Sequence, residues 1–188
     1  MAKRRCPVWL GYLLNCPLRK FGQNPKKMLG PYLAEGMKVL DVGCAMGFFS
    51  LPLARMVGPT GKVICVDVQE KMIRSLEKRA RRAGLAGRIE TRLCGDNSLG
   101  LGDLGERIDF VLAAAVVHEI PDTASFFSQM WDVMKPAARL LLSEPKGHVS
   151  GEDFERTVSV AKQKGFVVID GSVNLRNRVV VLAKKNDS

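Results

Sequence analysis

Apolar and polar positions along the chain switch repeatedly between a run and a helical repeat. MKVLDVG (37–43) is a short apolar run ending in Asp and Gly, which predicts a buried strand. FFSLPLARMV (48–57) places Phe49, Leu53, Ala54 and Val57 on one side of a helix, with Pro52 in its first turns, where proline is tolerated. GPTG (58–61) breaks the chain. KVICVDV (62–68) predicts a second buried strand. Residues 70–83 predict a basic amphipathic helix with Met72, Ile73, Leu76 and Ala80 inward and Gly84 ending it.

The second half repeats the scheme. RIETRLCGD (88–96) alternates as a third strand, and the glycine-rich stretch 97–107 is a loop. IDFVLAAAVVH (108–118) is a heavily apolar fourth strand. Asp122 caps a helix running to about Met134, and Pro136 follows it. RLLLSEP (139–145) is a fifth strand. Ser150 and Asp153 open a helix with a capping box, and it ends near Gly165. FVVIDGSV (166–173) and RVVVLAKK (178–185) are separated only by NLRN. That gap is too short for a parallel crossover, so the pair is expected as an antiparallel hairpin. The expected fold is α/β. It is a Rossmann-like, doubly wound, seven-stranded sheet, mostly parallel with a C-terminal antiparallel hairpin. Residues 1–36, irregular and rich in Pro and Gly, are expected as a lid on the substrate side. Residues 37–188 are expected as the main domain.

Length and composition narrow the class. A chain of 188 residues, 46% hydrophobic and 26% charged, is long enough for one buried core. No apolar run reaches the ~18 residues that span a bilayer. Lys3, Arg4 and Arg5 precede an apolar stretch from Val8 to Leu14. Gly11 interrupts that stretch and no small-residue cleavage pattern follows, so a cytoplasmic protein is expected rather than an exported one. The five cysteines (Cys6, Cys16, Cys44, Cys65 and Cys94) show no C-x-x-C pair, which fits reduced thiols. Only His118 and His148 are histidines, and no metal site is expected.

The net charge of +10 is clustered. One group is Lys3, Arg4, Arg5, Arg19, Lys20, Lys26 and Lys27; the other is Lys71, Arg74, Lys78, Arg79, Arg81 and Arg82. Solvated surface explains such clusters. Attraction to RNA, anionic lipid or an acidic substrate is the sharper alternative.

The turn VLDVGCAMGFF (39–49) carries the chemistry. It closes the first strand and opens a helix, at the sheet edge where open α/β folds bind ligands. Gly43, Ala45 and Gly47 let backbone approach a ligand. A dinucleotide site wants G-x-G-x-x-G, and Phe48 stands where the third glycine belongs. The turn therefore suits a ligand without pyrophosphate. Asp67 ends the second strand, and a carboxylate there can accept from both hydroxyls of a ribose. Asp96 ends the third strand, placed to accept from an adenine amino group. Any one of these Asp residues alone reads as a turn or cap residue. Three at successive strand ends describe an adenosine site with free ribose hydroxyls.

VLDVGCAMG, followed by VICVDV, CGD and the strand ending VVHEIPD, resembles the class I S-adenosylmethionine methyltransferases. It is most similar to the small-molecule branch that includes quinone-biosynthesis and arsenite methyltransferases. The resemblance covers about residues 25–185. It implies S-adenosylmethionine as cofactor and a small-molecule methyl acceptor. Asp41, Gly43, Cys44, Ala45 and Gly47 would hold the methionine part. Asp67 and Gln69 would hold the ribose, with Val68 and Met72 beside the adenine. Asp96 and Asn97 would flank the adenine amino edge, and Ala113 and Ala114 would line the sulfonium region. The family usually has glycine where Ala45 stands, so weaker cofactor binding is the most that this departure is expected to cause.

Methyl transfer is an in-line displacement in which the protein supplies alignment, exclusion of water and sometimes a base. His118 and Glu119 are the candidate catalytic residues, His118 as a general base near neutral pH. His118 is equally open to reading as a loop-binding structural residue. Glu144 faces the same edge, and His148 is expected to be structural. The turn 19–29, with Phe21 and Met28, is expected to cover the cofactor. Two other readings stay open: an RNA methyltransferase using the basic clusters, and a non-catalytic cofactor-binding module. A dehydrogenase is more distant. The acceptor atom and the oligomeric state are not written in the sequence.

Overall fold

The computed structural model describes residues 24–95, 98–173 and 176–185. The chain divides between Cys94 and Gly95 into two compact units. Residues 1–23 of the expected lid, with Phe21, Cys6, Cys16 and the basic residues Lys3 to Lys20, lie outside the described residues, whereas 24–36, expected to be irregular, hold a short helix at Pro25–Leu29 and a 3-10 turn at Gly30–Tyr32. Asp96 and Asn97 also lie outside the described residues.

In the first unit Asn24 caps a short helix, α1 (Pro25–Leu29), by accepting from the N–H groups of Lys26 and Lys27 at 3.0 and 3.2 Å. Leu29 is fully buried. β1 (Lys38–Val42) and β2 (Lys62–Asp67) are buried along almost their whole length, as continuous apolar strands covered on both faces should be. β3 (Ile89–Leu93) is only half-buried, which is why its sequence alternates. The three strands run parallel in the order β3-β2-β1.

Two helices cross between these strands. α2 (Ser50–Met56) buries Leu51, Leu53 and Ala54. α3 (Glu70–Arg82) buries Met72, Ile73, Leu76 and Ala80, the four positions that its spacing predicts. Gly84, at φ 68°, ends α3. The N–H of Leu85 returns to the Ala80 carbonyl at 2.9 Å, and that of Gly84 to Arg81 at 3.1 Å, a Schellman closure that satisfies the last carbonyls.

In the second unit β4 (Ile108–Ala114) pairs parallel with β5 (Met134–Pro145). β7 (Asn177–Lys184) lies antiparallel to β5, and β6 (Phe166–Val173) antiparallel to β7, giving β4-β5-β7-β6. The expected antiparallel hairpin is present. Two helices complete the unit. α4 (Thr123–Val133) is capped by Asp122, which accepts from Ser125 N at 2.9 Å. α5 (Gly151–Gln163) opens on the Ser150 and Asp153 pair, whose Ser150 Oγ accepts from Asp153 N at 3.0 Å. The seven-stranded mixed α/β sheet is therefore as the pattern predicts. No helix among the described residues is long and apolar enough to cross a membrane.

Three boundaries differ from the pattern. β3 ends at Leu93 rather than Asp96. β4 ends at Ala114, because Ala115 turns the backbone at φ 58°, and Val117–Glu119 form a 3-10 turn. β5 begins at Met134, and its register against β4 slips between Ile108 and Phe110, with Ala137 at φ 59°. A bulge of this kind accommodates Pro136 within a strand.

Candidate active site

The first unit brings the predicted cofactor residues together around one carboxylate. Asp67 ends β2 and is 8% exposed. Its Oδ2 accepts the N–H of Ala45 at 2.9 Å, and its Oδ1 accepts the N–H of Gln69 at 2.8 Å. The turn after β1 is itself tied to β2: the N–H groups of Gly43 and Cys44 share the Val66 carbonyl at 2.9 and 3.1 Å. Gly43, Ala45 and Gly47 all hold positive φ, at 68°, 46° and 85°. Glycine is the residue that accepts this backbone without penalty, so Ala45 carries the local strain. Gly47 has a further reason: a Cβ there would overlap the Leu76 side chain from α3.

Asp41, one strand over, is fully buried and accepts from Ser50 Oγ at 2.6 Å. Burial pushes its carboxyl up to about 7, the Ser50 hydrogen bond opposes this, and the nearby Asp67 charge adds to it. Burial also raises Asp67, against the pull of the N–H groups of Gln69, Ala45 and Val68. Cys44 is buried beside Cys65, and its thiol is held well above the usual range by that neighbour and by burial. Val68 stands 37% exposed at the tip of β2, whereas Met72 is buried. Arg79, counted by sequence among the surface cations, donates to the Met46 carbonyl and so braces the same turn.

The second unit assembles the other candidates. Ala113 is buried and Ala114 half-buried at the end of β4. His118 sits on the 3-10 turn that follows. Its backbone N–H donates to Glu144 Oε1 at 3.2 Å, and its Nδ1 lies 2.7 Å from Glu144 Oε2. Glu144, near the end of β5, is only 2% exposed. Glu119 Oε1 lies 4.0 Å from His118 Nε2. The exposed His148, expected to be structural, has its ring 5.7 Å from that of His118, edge on. The sequence placed Glu144 at this edge but not in contact with His118, because the two are 26 residues apart and only the β4–β5 pairing joins them. Among the described residues no group of three His, Cys, Asp or Glu is arranged to hold a metal ion.

The sheet and the strained glycine-rich turn define a Rossmann-like α/β protein of the class I methyltransferase kind. A family model described as a methyltransferase domain matches residues 33–179. The chain belongs to that family. It is 30% identical over 137 residues to the ubiquinone biosynthesis O-methyltransferase of Rhizobium etli, covering 73% of this chain and 51% of that protein. The corresponding Azorhizobium caulinodans protein is 32% identical over 137 residues, covering 73% and 50%. The chain spans about half the length of these curated relatives. Among solved structures, a SAM dependent methyltransferase from Aquifex aeolicus superposes with a TM-score of 0.85 at 27% identity, covering 96% of this chain and 100% of that one.

Proposed function

We propose that the chain binds S-adenosylmethionine and transfers its methyl group to a small-molecule acceptor. The observation that carries the reading is the state of Asp67. Its Oδ2 accepts the N–H of Ala45 and its Oδ1 that of Gln69, with the N–H of Val68 also drawn to the carboxyl. An ionised carboxylate has about four acceptor sites, so capacity remains for a further donor. A charged acceptor at a strand tip suits the hydroxyls of a ribose. The exposed apolar Val68 beside them suits the face of an adenine. A phosphate would meet the Asp67 carboxyl here and be repelled once it ionises, which argues against a dinucleotide.

Asp67 and Gln69 would hold the ribose, with Val68 and Met72 at the adenine. Asp41, Gly43, Cys44, Ala45 and Gly47 would hold the methionine part. Ala113 and Ala114 would lie by the sulfonium, and His118 and Glu119 by the acceptor. Asp96 and Asn97 keep their proposed place at the adenine amino edge. Residues 1–36 would flank the acceptor side, and the protein would work in the cytoplasm. When bound, the cofactor supplies a methyl carbon made electrophilic by a cationic sulfur. The chain's own part is alignment and exclusion of water. The names of the curated relatives support an oxygen acceptor on a small molecule.

Incubation with methyl-labelled S-adenosylmethionine and a panel of small hydroxylated aromatic compounds tests the reading. Label in an organic-extractable product supports it; cofactor binding without turnover across the panel favours a non-catalytic module. The RNA reading draws on Lys71, Lys78, Arg81 and Arg82, all exposed on α3. Against it, Arg74 pairs with Glu70 at 2.6 Å, and Arg79 is spent on the Met46 carbonyl. Absence of RNA binding at low salt would remove it.

A further inference from the structure

We propose that Arg79 is a positioning residue for the cofactor: from α3 it fixes the second half of the turn after β1, and so sets the affinity for the methionine part of S-adenosylmethionine but not for the nucleoside. The inference rests on the proposed cofactor site, and its geometry lies wholly within the first unit.

The turn is held from two sides. Its first half is bolted to β2: the N–H groups of Gly43 and Cys44 donate to the Val66 carbonyl, and that of Ala45 donates to Asp67 Oδ2. Its second half meets α3. The Arg79 guanidinium donates to the Met46 carbonyl, and a Cβ at Gly47 would overlap the Leu76 side chain. Leu76 and Arg79 are three residues apart, so they are neighbours on the helix surface. Leu76 is fully buried and limits how near the turn can come, while Arg79 draws it in. Opposite charges thus grip two successive residues, an acid on β2 at the N–H of Ala45 and a base on α3 at the carbonyl of Met46.

The second half needs this support. Gly43, Ala45 and Gly47 alternate at positive φ, and for Ala45 that backbone persists only where surrounding structure enforces it. Within the turn, the N–H of Gly47 reaches the Cys44 carbonyl at 3.0 Å. α2 then starts after Phe49 without a side-chain cap, so that cap adds no anchor to the exit of the turn.

Burial separates Arg79 from the other cations of its helix. Lys71, Arg74, Lys78, Arg81 and Arg82 are exposed, whereas Arg79 is half-buried, and burial draws its pKa below the ordinary value. A guanidinium stays charged under such a shift, so the Met46 carbonyl receives a charge-assisted hydrogen bond. A cation that served only the helix dipole would keep its water, as its neighbours do. The two ends of the ligand therefore depend on Arg79 differently. Asp67, proposed for the ribose, stands on β2 and is fixed by that strand. Gly47, proposed for the methionine part, lies in the half of the turn that Arg79 holds.

The test titrates the full chain by calorimetry with S-adenosylhomocysteine and with adenosine, which lacks the methionine part. Arg79→Met removes the donors and keeps an apolar stem on the helix. It should weaken S-adenosylhomocysteine about tenfold, the size of one charge-assisted hydrogen bond, and adenosine less than about twofold. Arg79→Lys keeps the charge and should show the same selectivity with a smaller loss, and it carries the test if Arg79→Met does not fold. An equal or larger loss for adenosine, or an unchanged affinity for S-adenosylhomocysteine, overturns the positioning role. If the parent binds neither ligand, the cofactor-site reading fails instead, and amide exchange of the ligand-free chain decides the part of Arg79. The Gly47 N–H should then exchange roughly tenfold faster in the variant than in the parent, with Gly43 and Cys44 unchanged. Equal exchange at Gly47 overturns the brace.

Discussion

Asp67 accepts the backbone N–H of Ala45 at 2.9 Å, from the tip of one strand to the turn after its neighbour, while Ala45 is held at φ 46°. The bond keeps a non-glycine residue in a left-handed backbone that costs an L-residue roughly 1–2 kcal/mol. Strain of this kind persists only where surrounding structure enforces it. Here the enforcing group is the same carboxyl that the proposed function assigns to the ribose.

Replacing Ala45 by glycine should therefore help the fold. Relief of the left-handed strain outweighs the added freedom of the unfolded chain, so Ala45→Gly is expected to stabilise the protein by about 1 kcal/mol. Thermal unfolding of the two proteins, in the absence of ligand, reads this directly. A lowered melting temperature would show that the turn is not strained.

Asp41 makes stability depend on pH in an unusual direction. Its carboxyl sits at about 7 in the folded chain, against an ordinary value of 3.8. Between these two values the folded state holds a proton that the unfolded state has released. Stability from this group is therefore fully present below about pH 4, falls by about 1.4 kcal/mol per pH unit, and levels off above about pH 7. Asp67 is shifted in the same direction. Denaturant unfolding from pH 4 to 8 should show a smaller decline in Asp41→Asn than in the parent. Equal slopes would contradict a burial-raised carboxyl at Asp41.

Lys184, on β7, ties that strand to the loop before β4, the end of α4 and the start of β5. Its Nζ donates to Glu106 Oε1 at 2.7 Å, to the Trp131 carbonyl at 2.9 Å and to the Met134 carbonyl at 3.0 Å, and it lies 5.1 Å from the centre of the Trp131 ring. Glu106 is 60% exposed, so the ion pair itself counts for little. The two carbonyls matter more, because a replacement without donors leaves them unpaired. Lys184→Met should destabilise by about 2 kcal/mol, two hydrogen bonds to carbonyls at about 1 kcal/mol each. A loss below about 1 kcal/mol, measured by chemical denaturation, would show that water replaces the ammonium.

Periodicity made most of these elements legible. The inward positions of α3, the caps at Asp122 and Ser150 and the terminal hairpin follow from spacing and short connections alone. The end of β4 does not. VLAAAVVH is uniformly apolar, and nothing in it marks Ala115 as the left-handed residue that stops the strand. His118 was therefore expected on a strand and stands on a 3-10 turn. The start of β5 was hidden for the opposite reason, since Pro136 reads as a break and the chain accommodates it with a bulge. Of the site, the turn and Asp67 were visible as a motif. The grip of Glu144 on His118 was not, because it arises from strand pairing across a long separation.

The claim that bears the rest is that Asp67 receives a nucleoside. Calorimetric titration of the full chain with S-adenosylhomocysteine, beside Asp67→Asn, tests it most directly. Asparagine keeps an oxygen for one backbone N–H but loses the charge and half of the acceptor capacity. The account predicts saturable binding by the parent and an affinity about 100-fold lower in the variant, roughly 3 kcal/mol for charge-assisted bonds to two hydroxyls. Equal affinity in the two proteins, or no binding by the parent, would contradict it.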